Sequence, residues 1–129
     1  REIKRVMFSG INPHCGEQGL MGNEEKHIIE AIILLKKKYA NVEFIGPISG
    51  DTLQFLPSNK NDLLVYAAHD QGLAPFKTTN GLLGINVTFG LPFLRVSPDH
   101  GTAFYLYGKN EANYQGMLFV LNKILKILA

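Results

Sequence analysis

The residues of this chain best suited to chemistry are two histidines set beyond strand-like runs. His14 lies in a glycine-rich loop that follows Arg5-Val6-Met7-Phe8-Ser9, and His69 follows the apolar run Leu63–Ala68. In α/β sheets, polar side chains converge on a crevice just past the carboxyl ends of the strands, so the two imidazoles can face one another from neighbouring strands. Histidine is the commonest metal ligand, and with Glu17, Asp51 and Asp70 as nearby carboxylates the pair suits Zn²⁺ or another divalent ion. Two histidines 55 residues apart do not complete a catalytic zinc site, however, and the same spacing equally suits two hydrogen-bonded loop histidines.

A second group of polar residues follows His69. Lys77, Asn86 and Arg95 are spaced nine residues apart among β-prone segments and turns. An arginine set in the apolar stretch Pro92-Phe93-Leu94-Arg95-Val96 needs a partner if it is buried, either a bound carboxylate or phosphate or an internal salt bridge to Asp70 or Asp99. The loop around His14 opens a helix whose free N–H groups attract anions. Its Gly16-x-x-Gly19-x-x-Gly22 spacing matches neither the dinucleotide fingerprint nor the Walker loop. His100, in Pro98-Asp99-His100-Gly101-Thr102, reads as a third site histidine or, more readily, as a cap-region residue. His27 reads as a helix-surface residue. Cys15 reads as a small filler rather than a nucleophile, since nothing beyond the glycine loop argues for a lowered thiol pKa.

Strands and helices in alternation must hold these residues. Arg5–Ser9 reads as a short buried strand, and residues 10–22 as an irregular loop with four glycines and one proline. Asn23 is placed as a helix N-cap, with Glu24 and Glu25 complementing the dipole. Ile28, Ile29, Ile32, Ile33 and Leu35 form the helical stripe, and Lys36-Lys37-Lys38 its solvated end. Val42–Ile45 is a second strand stopped by Gly46-Pro47, and Gly50–Leu53 leads into a short helix ended by Pro57. Leu63–Ala68 is a third strand, apolar throughout as in sheets covered on both faces. Residues 84–89 and 93–96 are β-prone pieces around a Gly90-Leu91-Pro92 turn. The clearest helix is Glu111–Leu128, capped by Asn110, with Tyr114, Met117, Leu118, Leu121, Ile124, Leu125 and Leu128 on one face. The alternation implies one α/β unit over 1–129, a layered sheet with flanking helices.

Composition narrows the partners. Thirteen Lys+Arg against 11 Asp+Glu leave a net charge of +2, and 46% hydrophobic content suits one soluble globular domain. A chain of this size buries about two-thirds of its unfolded surface, so it needs no disulfide or structural metal to form a core. Scattered basic residues argue against nucleic acid. The lone cysteine excludes an internal disulfide framework. No apolar run approaches the ~18 residues of a membrane span, and no secretory signal opens the chain.

Taken together, several stretches resemble the 4-hydroxythreonine-4-phosphate dehydrogenases of pyridoxal phosphate biosynthesis. They are Gly10-Ile-Asn-Pro-His-Cys-Gly-Glu-Gln-Gly-Leu-Met-Gly-Asn-Glu-Glu25, Gly46-Pro-Ile-Ser-Gly-Asp-Thr-Leu53, His69-Asp-Gln-Gly-Leu-Ala-Pro-Phe-Lys77, Gly84-Ile-Asn-Val-Thr-Phe-Gly-Leu-Pro-Phe-Leu-Arg95 and Asp99-His-Gly-Thr-Ala103. Their order and spacing run through essentially the whole chain. The resemblance implies part of an isocitrate/isopropylmalate dehydrogenase-like fold, whose nicotinamide site is not a Rossmann fingerprint. It implies His14 and His69 as ligands of a divalent metal (Zn²⁺, Mg²⁺ or Co²⁺) and Lys77, Asn86 and Arg95 as substrate-binding residues. Asp51 and Asp70 are implied as candidates for metal-site or proton-transfer roles. The implied reaction is NAD- or NADP-dependent oxidation and decarboxylation of 4-phosphohydroxy-L-threonine to 3-amino-2-oxopropyl phosphate, in a cytoplasmic homodimer whose active site lies at the subunit interface.

One departure stands against this. The resemblance covers only the carboxyl-terminal portion of a larger two-domain dehydrogenase. The family's third metal histidine belongs to a Thr-Thr-His-like motif in the amino-terminal part, and no Thr-Thr-His occurs here. The 129-residue chain alone is therefore expected to be inactive. The alternatives are an inactive remnant serving as a fold, dimerisation or anion-binding module, and a metal-dependent hydrolase or decarboxylase using the same histidines without a nicotinamide.

Overall fold

The computed structural model describes residues 2–128. The chain, expected to form one α/β unit, divides into two compact units, Arg1–Pro75 and Phe76–Ala129.

The first unit is the expected α/β arrangement. Strands β1 (Arg5–Ser9), β2 (Glu43–Ile48) and β3 (Asp62–Val65) form a parallel sheet in the order β2-β1-β3, and helix α1 (Glu25–Lys38) connects the first two. Because successive side chains of a strand point to opposite faces, the central strand β1 is apolar on both. Val6 packs with Phe44 and with Ile32 of α1, joined by Phe8, Ile28 and Leu35. Met7 faces the other way and is equally buried; on β1 also rests a 3₁₀ turn at Leu53–Phe55, whose Leu53 is inaccessible to solvent. At the start of the sheet Arg5 pairs with Asp62 at 2.5 Å.

Several boundaries differ from expectation. β2 does not stop at Gly46-Pro47 but continues to Ile48, and its register against β1 shifts between Met7 and Ser9. Proline is tolerated there because β2 is an edge strand of this sheet and the irregularity removes one ladder position. β3 ends at Val65 rather than Ala68, and helix α2 (His69–Asn80) begins at His69. The residue at the N-cap of α1 is Glu24, not Asn23. Of the α1 stripe, Ile32 is buried and Ile28 and Leu35 are half-buried, whereas Ile29 and Ile33 are exposed.

In the second unit, β4 (Ile85–Thr88) and β5 (Arg95–Pro98) form an antiparallel pair, and α3 (Gln115–Leu128) packs against β5. The helix begins after the expected Glu111, because Asn110 adopts a left-handed φ of 55° and cannot cap it. Asn113 takes the capping role, its Oδ1 accepting from the Gln115 N–H at 2.9 Å. Val120 is buried, while Met117, Leu118, Leu121 and Leu125 of the expected apolar face are exposed. Among the described residues no helix is long and apolar enough to cross a membrane.

Candidate functional site

The loop leaving β1 starts with the Gly10 N–H donating to the Ile48 carbonyl at 2.7 Å. It then coils in an unusual sense: His14, Cys15, Gly16, Glu17 and Gln18 all have positive φ, at 51°, 54°, 77°, 41° and 58°. Left-handed backbone costs a non-glycine residue about 1–2 kcal/mol, so four such residues need an external hold. Glu25 supplies it. One carboxylate oxygen accepts the N–H groups of Ile11 and Asn12 at 3.0 and 2.7 Å, and the other accepts the Asn12 side-chain amide at 2.9 Å. The same amide also reaches Glu24, at 2.6 Å. The Asn12 side chain first, then the Asn12 backbone, hold the Glu25 carboxyl below its ordinary pKa. From the sequence Glu25 reads only as a charge in the first turn of a helix, but in the structure it is buried and anchors the His14 loop.

Within this unit His14 and His69 are both exposed, His14 in the left-handed loop and His69 as the first residue of α2. Asp51, also exposed, accepts the Ser49 hydroxyl at 2.5 Å and the Thr52 hydroxyl at 3.4 Å. The Ser49 contact chiefly, with a smaller contribution from His14, holds its carboxyl below the ordinary pKa. Asp70 lies in the first turn of α2, where a negative charge complements the dipole. The Cys15 thiol is pushed up in pKa by burial and next by Glu25, the wrong direction for a nucleophile and in keeping with a filler. Two imidazoles past the ends of adjacent parallel strands suit a divalent ion in donor chemistry. Among the described residues, however, no group of three or more His, Cys, Asp or Glu side chains is placed to hold a metal.

Lys77, Asn86 and Arg95 fall in the second unit. Lys77, near the end of α2, donates to the Asp99 backbone carbonyl at 2.7 Å and lies 4.0 Å from the Asp99 carboxylate. Asn86 is exposed in β4, opposite Ser97. Arg95 is exposed and donates to the Thr88 hydroxyl at 2.9 Å across the hairpin, so the condition under which it would need a buried anionic partner is not met here. His100 is exposed, with Nδ1 3.1 Å from the Gly101 carbonyl oxygen, and lines a groove with Tyr105, Tyr107 and Asn113. His27 lies exposed on α1, as expected. Sequence reasoning passed over Ser9, Asn12, Glu25 and Gln71, the polar residues that hold the loop ends together. The signal for Glu25 and Gln71 was position alone, each in the first turn of a helix that follows a candidate histidine loop or begins with a candidate histidine.

A parallel sheet that sends a histidine-bearing segment past the carboxyl ends of two neighbouring strands defines an α/β domain with its polar residues gathered at one end of the sheet. The chain belongs to the family described as pyridoxal phosphate biosynthetic protein PdxA, whose profile matches residues 1–122. It is 44% identical over 119 residues to the 4-hydroxythreonine-4-phosphate dehydrogenase of Zymomonas mobilis, covering 91% of this chain and 35% of that protein. It is 45% identical over 126 residues to an Oceanobacillus iheyensis protein described as a candidate D-threonate 4-phosphate dehydrogenase, covering 95% of this chain and 37% of that one. The crystal structure of 4-hydroxythreonine-4-phosphate dehydrogenase from Klebsiella pneumoniae superposes with a TM-score of 0.75 at 34% identity, over all of this chain and 39% of that one. The chain thus spans about a third of the length of the curated relatives it matches.

Proposed function

We propose that this chain forms the carboxyl-terminal portion of a divalent-metal-dependent, NAD- or NADP-linked dehydrogenase that oxidises and decarboxylates 4-phosphohydroxy-L-threonine to 3-amino-2-oxopropyl phosphate. The observation that carries the reading is the placement of His14 and His69 past the ends of the adjacent strands β1 and β3, within a chain of the PdxA family. His14 and His69 would contribute two nitrogen ligands, and the remaining donors would come from outside these 129 residues. When bound, such an ion lowers the pKa of a substrate hydroxyl and favours loss of the carboxylate. Asp51, oriented by Ser49, is the candidate to accept a proton, with Asp70 as a second candidate. Lys77 and Arg95 would grip anionic groups of the substrate and Asn86 would hydrogen-bond to it.

Because no group of three or more His, Cys, Asp or Glu side chains among the described residues is placed to hold a metal, this portion by itself would be inactive, and the working form would be a homodimer with its site completed at the interface. The test is reduction of NAD and of NADP by the protein as its gene encodes it, with Zn²⁺, Mg²⁺ or Co²⁺ and 4-phosphohydroxy-L-threonine. Absence of metal-dependent turnover with that substrate would overturn the assignment. D-threonate 4-phosphate is the second substrate to assay, because the Oceanobacillus relative carries that description at comparable identity. Turnover of it alone would keep the chemistry and change the substrate.

A further inference from the structure

We infer that Gln71 is a positioning residue that fixes the His14 loop against the segment carrying His69, an inference that rests on reading these histidines as metal ligands. The backbone ladder between β1 and β3 ends at Phe8 opposite Val65. Beyond it, side chains make the connection. Gln71 Oε1 accepts the Ala68 N–H and the Ser9 hydroxyl, each at 3.0 Å, and Gln71 Nε2 donates to the Gly10 carbonyl at 3.1 Å. The Ser9 hydroxyl, 1% exposed, accepts the Ala67 N–H at 2.8 Å. One amide and one hydroxyl thus make four hydrogen bonds joining Ser9 and Gly10 to the residues that run into His69.

A third segment meets the same amide. A Cβ on Gly50, the neighbour of Asp51, would lie 2.7 Å from Gln71 Nε2, so the Asp51 turn rests directly on Gln71. Gln71 therefore sits where the segments bearing His14, Asp51 and His69 converge. The site demands an acceptor on one side and a donor on the other, which a primary amide offers and a carboxylate does not. Preset ligand spacing is what such outer contacts contribute to a metal centre, and their loss typically costs about 10–100-fold in metal affinity.

The test uses the protein as its gene encodes it, stripped of metal and titrated with Co²⁺, with the visible absorption of the bound ion as readout. Gln71→Met, which keeps the volume and removes all the bonds of the amide, is expected to weaken Co²⁺ binding by about 10–100-fold and to alter the absorption bands at unchanged far-UV circular dichroism. Ser9→Ala, which removes the hydroxyl's two bonds and adds no charge, is expected to give a smaller loss in the same direction, and it decides the matter should Gln71→Met fail to fold. Wild-type affinity and spectrum in folded Gln71 and Ser9 variants would overturn the inference. His14→Ala and His69→Ala run alongside. If they abolish binding while the Gln71 and Ser9 variants bind as wild type, the positioning role alone fails; if the histidine variants bind as wild type, the histidine reading fails.

Discussion

The side chains of Asn12 and Glu25 are joined across the loop that carries His14, the Asn12 amide donating to the Glu25 carboxylate at 2.9 Å. The same carboxylate receives the backbone N–H groups of Ile11 and Asn12, so one buried side chain holds both the course of the chain and the residue two places before the histidine. Glu25→Ala would leave those N–H groups without an acceptor while the left-handed turn still opposes the fold. Amide exchange at Ile11 and Asn12 should quicken by about tenfold or more, read by hydrogen–deuterium exchange, with little change in the β1–β3 ladder.

Positive φ predicts different costs at two glycines, one in the His14 turn and one just past α2. Gly16 has φ +77°, and a Cβ there would lie 2.5 Å from the Gly22 carbonyl oxygen, which is backbone and cannot swing aside. Gly81 has φ +57° and open space around its missing Cβ. Gly16→Ala should therefore destabilise by about 2 kcal/mol or more, through clash added to strain, and Gly81→Ala by about 1 kcal/mol through strain alone. Denaturant titration of both variants checks the ordering.

Acid should weaken the first unit through Asp62 and Glu25. Asp62 is held below its ordinary pKa chiefly by the hydrogen bond from Arg5, and Glu25 by Asn12. A carboxyl with a lowered native pKa contributes its stability fully above the unfolded value, near 4, and loses it as pH falls through the native value. The melting temperature should drop below about pH 4. Asp62→Asn should start lower at pH 7 and fall less steeply through that range, as thermal melts across pH 2–7 would show; parallel curves would remove Asp62 from the account.

Much of the first unit was legible because its signals are local. The apolar run Val6–Phe8, the helical stripe with its lysine end and the glycine-rich loop each map onto an observed element. The errors fall where tertiary context decides. Gly46-Pro47 reads as a stop, but an edge strand with a register irregularity accommodates it. Arg95 sits in an apolar stretch whose burial the sequence leaves open, and in the two-stranded hairpin it is exposed. The apolar stripe of α3 marks a face suited to burial, whereas the burial it obtains depends on which elements lie beside it. The histidines proposed for the site stand out in the sequence, but the residues that hold their loops do not. Apart from the Gln71–Ala68 contact, Glu25 and Gln71 act through hydrogen bonds to residues 13 to 62 positions away, which no spacing rule in the sequence reports.

The contact between Lys77 and Asp99 separates two ways of holding an ammonium for an anionic substrate. Lys77 Nζ is tethered by the Asp99 backbone carbonyl at 2.7 Å, while the Asp99 carboxylate stands back at 4.0 Å. Neither carboxylate oxygen of Asp99 has a hydrogen-bond partner among the described residues, so the tether is the carbonyl and not the charge. If Lys77 grips the substrate phosphate, Lys77→Met in the protein as its gene encodes it should raise KM for the phosphorylated substrate by about 10–100-fold, with a smaller effect on kcat, since a hydrogen bond to a charged group is worth about 1.5–3 kcal/mol. Asp99→Asn keeps the carbonyl and removes a loosely paired charge. It should change KM by no more than about fivefold, the scale of a partly exposed ion pair. Steady-state kinetics on the two variants distinguishes them: an unchanged KM in Lys77→Met would take this lysine out of the substrate site, and a large KM change in Asp99→Asn would show that the carboxylate, rather than the backbone, sets the ammonium.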